Sequence, residues 1–137
     1  MLLRATLFAF LMITSAASFA ASCGRVNSMV DTMMEKRSIT NCSFKNGHIL
    51  IKTNQPLQPG QMRLFVFIGF TAAGWWMREG GLRSTVKAVY VGAGDKCQML
   101  DGAETAELQR SAKYDGDSAL RNAMKMANDA RQVACPK

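Results

Sequence analysis

Four cysteines, one histidine, ten carboxylates and an adjacent pair of tryptophans are the side chains with which this 137-residue chain could do chemistry or grip a partner. The cysteines are Cys23, Cys42, Cys97 and Cys135. No Cys-x-x-Cys pair occurs, and the intervals match no zinc pattern, so metal ligation is not expected. An even number of cysteines in a short exported chain implies a disulfide framework, and four cysteines allow three connectivities. A free catalytic thiol is not expected while the set can pair.

His48 stands alone, so no histidine pair can hold a metal, and any serine triad would need this residue as its base. It follows Asn46-Gly47 and reads as a strand residue near solvent. Asp95, Asp101, Glu104, Asp115 and Asp117 fall at turns and helix starts, where capping accounts for them. Glu79, close to Trp75 and Trp76, has no such duty, and a small hydrolase could be argued from it alone. Ten methionines could offer soft ligands to Cu(I). Met33-Met34 and Met124-x-Met126 do not share a helix face, however, and methionine as core filler is the ordinary reading. The glycines at 92 and 94 lack phosphate-loop spacing and mark a turn. No cofactor is expected.

Charge says more. The net charge is +7. Acids cluster at residues 95–117, whereas Lys45, Lys52, Arg63, Arg78, Arg83 and Lys87 fall where only Glu79 opposes them. A one-sided basic surface favours an anionic partner such as an acidic polysaccharide, a phosphate-bearing envelope lipid or an acidic protein. Trp75, Trp76, Arg78 and Arg83 are the expected contact residues, because aromatic and arginine side chains dominate interface energetics. Burial of the two tryptophans in a core is the competing reading. Nucleic acid is not expected.

The first twenty residues bear on where these groups work. Arg4 precedes an apolar run from Ala5 to Ile13, and Ser18-Phe19-Ala20 ends it with a small-x-small pattern. That order reads as a signal peptide, cut near residue 20 and leaving a single domain from 21 to 137 in the periplasm or outside the cell. A lipid anchor at Cys23 is not expected, since it would leave three thiols, one of them unpaired.

The elements that must position these groups follow from periodicity. Val26, Val30, Met33 and Met34 form a helical stripe over about residues 26–37, with Asn27 or Ser28 as cap and Asp31 in the first turn. Such a helix advances about 18 Å. Residues 38–42 return about 16–17 Å if extended, which brings Cys42 level with Cys23. Asn46-Gly47 between β-branched runs predicts a hairpin with strands at 38–45 and 48–53. Leu64 to Phe70 reads as a buried central strand, continued or followed by a short extended piece through Trp75-Trp76. As a helix, the 14 uncharged residues from Leu64 to Met77 would span about 21 Å, short of the ~30 Å hydrocarbon core. Residues 84–91 predict another strand.

Two helices complete the chain. Asp101 and Glu104 start one in capping-box spacing. Leu120, Ala123, Met124, Ala127, Ala130 and Ala134 stripe the other, up to Cys135. If these helices run antiparallel, Cys97 at the start of one meets Cys135 at the end of the other. The expected bridges are therefore Cys23–Cys42 and Cys97–Cys135. The expected class is α+β: an N-terminal helix, about four antiparallel strands, and two C-terminal helices packed on one sheet face. The function that fits is a small exported, non-catalytic binding or accessory protein. A structural subunit of an envelope or secretion assembly and a Glu79 hydrolase are the alternatives.

Overall fold

A computed structural model describes residues 23–79, 86–111 and 117–137. Helix α1 covers residues 23–33. Strands β1 (Thr40–Lys45) and β2 (His48–Thr53) follow, then helix α2 (Pro59–Glu79). Next come β3 (Ala88–Ala93), β4 (Lys96–Asp101), α3 (Ala103–Ser111), α4 (Asp117–Asp129) and β5 (Arg131–Ala134). The class is α+β, with both disulfides paired as expected, Cys23–Cys42 and Cys97–Cys135.

Local chemistry sets the first third. Asn46 and Gly47 adopt positive φ of 54° and 80°, the conformation a tight two-residue hairpin needs, and Lys45 pairs with His48 across it. Helix α1 ends earlier than the stripe suggested. The Lys36 N–H donates to Asp31 C=O and the Glu35 N–H to Thr32 C=O, a Schellman closure with Glu35 left-handed at φ 56°. Asn27, Ser28 and Asp31 accordingly lie inside the helix and do not cap its start. The Asp31 carboxylate instead accepts from the Thr40 N–H at 3.0 Å and the Thr40 hydroxyl at 2.5 Å. That contact ties the helix end to the head of β1, beside the bridge from Cys23 to Cys42.

Leu64–Phe70 is not a strand, and the segment through Trp76 is not extended. Both belong to α2, which is 21 residues long. The helix begins with Pro59 at its first position, where the missing N–H costs nothing. Gln58 precedes it as cap, and its N–H is taken by Gln61 Oε1 at 3.1 Å, one half of a capping box. Leu57 and Met62 occupy the two hydrophobic-staple positions, and both pack against the core. Arg78 lies in the last turn, where the dipole favours a cation. Among the described residues no helix is long and apolar enough to cross a membrane.

The sheet has five strands in the order β1-β2-β3-β4-β5. It is mixed rather than antiparallel throughout. β2 and β3 run parallel because α2 carries the chain over between them, and the other pairs are antiparallel. β4 was unexpected. Gly94, at φ 62°, and Asp95 form a two-residue turn that folds Lys96–Asp101 back on β3. Cys97 therefore sits on a strand, which leads into α3. At the other end α4 stops at Asp129, and Arg131–Ala134 pairs with β4, so Cys135 follows a strand. The bridge thus ties β4 to the end of its neighbour β5, instead of joining the ends of two antiparallel helices.

The four described helices all contribute to one core. Val26 and Val30, Phe65, Ile68 and Trp76, Leu108, and Met126 meet Ile49, Ile51, Val89, Val91 and Leu100 from the sheet. These strand residues share one face, as their register shows. In α4 it is Ala123 and Met126 that are buried, while Met124 is exposed.

Candidate functional site

The sheet's second face contributes nothing to the core cluster. Strand alternation sends every other side chain there, and the register arranges them in three rows. The middle row is Ser43, Leu50, Tyr90, Met99 and Arg131. On one side lie Lys45, His48, Ala88 and Asp101; on the other, Asn41, Lys52, Gly92, Cys97 and Val133. Among the described residues no helix covers this face.

Its centre is apolar and partly ordered by ring contact. The His48 and Tyr90 rings lie 5.4 Å apart between centroids, tilted 59°, across the parallel pair. Leu50 and Met99 are half-buried beside them. The charges stand at the edges. Asp101 carries the face's negative charge among the described residues, and it is engaged: Arg131 Nη2 donates to its carboxylate at 2.6 Å. Arg131 Nη1 also donates to Glu104 Oε1 at 3.3 Å. The hydrogen bond to Asp101, and then its charge, hold the Arg131 guanidinium above its ordinary value, so it stays cationic at any working pH. Lys45 and Lys52 pair with no carboxylate among the described residues. The face is therefore an apolar strip flanked by lysines that have no carboxylate partner among the described residues.

Of the residues expected to make contact, those described do not lie on this face. Trp76 is 1% exposed and packs edge-on to Phe44 with centroids 6.2 Å apart, so it is a core residue and cannot meet a partner. Trp75 is partly buried against the same core. Arg78 is exposed on α2, away from the sheet surface, and Arg83 lies outside the described residues. The sheet face is basic without being Trp-bearing, because the tryptophans sit on a helix under the opposite face. Glu79 closes α2, and its side chain is not among those described. Among the described residues no three His, Cys, Asp or Glu side chains converge as a metal site would require.

Leu50, Tyr90 and Met99 were missed as surface residues. Each occupies an alternate position in a strand, and that signal was readable for β2. For Met99 it is hidden, since the sequence of β4, Lys96–Asp101, lacks a clean apolar and polar alternation. No family model, no curated protein and no solved structure matches this chain.

Proposed function

We propose that this is a small exported, non-catalytic binding or accessory protein that meets an anionic partner on the open face of its sheet. Lys45 and Lys52 carry the proposal: they flank the apolar strip and lack a described counter-charge. A paired sheet stapled at both flanks loses little freedom when it binds, and such preorganisation favours association. Acidic polysaccharide of the envelope and acidic protein surfaces have the complementary chemistry.

Export to a periplasm or beyond rests on the leader pattern of residues 1–20 and on four cysteines that are all joined. The pairing of Cys23 with Cys42 supports a chain without lipid on that sulfur. The stretch that suggested an envelope subunit, residues 64–77, is the buried helix α2, with Leu64 its large exposed apolar side chain.

The test is retention of the purified oxidised chain on immobilised dextran sulfate. Lys45→Glu and Lys52→Glu are expected to lower the eluting salt concentration sharply. Arg63→Glu, on the helical side, changes charge equally and is expected to matter less. Equal effects from all three would mean diffuse charge attraction and would end the sheet-face reading. An intact mass that still includes Met1 would end the export reading.

A further inference from the structure

A second surface lies on the helical side. α2 and α4, with Gln98 of β4, line a groove of about 650 Å³. Small-molecule sites span about 300–1,000 Å³ and are mostly apolar with a few polar groups that fix orientation. This groove fits that description. Its wall on α2 carries Leu64 and Phe67, and its wall on α4 carries Met124 and Ala127. Leu64 is 45% exposed and Met124 55%, two of the three large hydrophobic side chains left exposed among the described residues. Alanine at 127 makes room where a larger residue would bring the two walls together.

Charge selects the occupant. Arg63 is the one charged side chain lining the groove, and it is exposed with no ion pair to a described residue. A second copy of the chain is a poor match. A two-fold interface sets the same patch against itself, and this patch has a cation and no lining carboxylate to meet it. An unbranched anionic amphiphile satisfies both features at once. We propose that the groove binds one single-chain fatty carboxylate, its hydrocarbon lying between Leu64 and Met124 and its head group on the Arg63 guanidinium. Methionine and leucine adapt to a flexible chain without fixing its length. The site is on the opposite side from the basic sheet face and stands independently of that reading.

Calorimetric titration of the purified oxidised chain with sodium decanoate, with 1-decanol in parallel, tests this. Decanoate is expected to bind saturably, one per chain. Ala127→Phe fills the groove and is expected to abolish saturable binding of both ligands with the circular dichroism unchanged. Arg63→Gln removes a charge-assisted hydrogen bond and is expected to weaken decanoate by about tenfold while leaving decanol alone. Should Ala127→Phe fail to fold, Met124→Glu on its exposed position serves, with decanoate repelled more than decanol. Non-saturable uptake, undiminished binding in the filled variant, or capture by anionic vesicles without binding of free decanoate would overturn the proposal. So would a groove-mediated dimer that decanoate does not dissociate.

Discussion

Gly69 of α2 lies directly over Val91 of β3, so close that a methyl group on Gly69 would overlap the valine side chain. The crossover helix thus rests on the parallel strand it leads to, at a position that has no side chain of its own.

Gly69→Ala therefore sets two effects against each other. Alanine improves helix propensity by about 1 kcal/mol. Overpacking against Val91, a stiff β-branched residue in the core, costs about 1–3 kcal/mol. The net expectation is a loss of about 1 kcal/mol, read as a lower urea midpoint at unchanged slope. Combining it with Val91→Ala should recover part of that loss, and simple additivity of the two changes would show that this contact is not the cause.

Glu35 holds a left-handed conformation that costs a side-chain-bearing residue about 1–2 kcal/mol. Glu35→Gly relieves this at the helix end while adding some freedom to the unfolded chain. A gain of up to about 1 kcal/mol is expected in thermal or urea unfolding.

Asp31→Ala removes the acceptor for both the N–H and the hydroxyl of Thr40, a buried residue. An expected loss of about 1–3 kcal/mol follows from stranding those donors. Asp31→Asn keeps one carbonyl acceptor and should lose less. Equal stability of all three proteins would show that the contact contributes nothing.

Tryptophan emission should report two populations. Trp76 is enclosed and Trp75 partly open. Iodide is expected to quench only a fraction of the emission, and Trp75→Phe to remove that fraction. Complete quenching in Trp75→Phe would contradict the burial of Trp76.

The sequence was legible where signals were local and of one kind. Asn46-Gly47 placed the first hairpin, and the pairing of Cys23 with Cys42 was anticipated, although Ser38 at φ 53° is not extended and the returning strand begins only at Thr40. It failed where pattern was ambiguous. Leu64–Phe70 is apolar at nearly every position, so period could not separate a buried strand from a buried helix. The deciding signs lay outside the run, in Pro59, the Gln58 and Gln61 spacing, and a length beyond that of most strands. Ala130 and Ala134 continued the α4 stripe by spacing alone, yet pairing with β4 and the bond to Cys97 draw residues 131–135 into the sheet. Tertiary contact overrode local preference there. The open sheet face was anticipated only as a charge imbalance, because its rows exist only once strands far apart in the chain are aligned.

The cysteines pair first with second and third with fourth, so neither loop encloses a member of the other. On the export route proposed above, an oxidase that joins thiols strictly in the order they emerge would make the native set without error. Maturation of this chain should then proceed at full yield in cells that lack a disulfide isomerase.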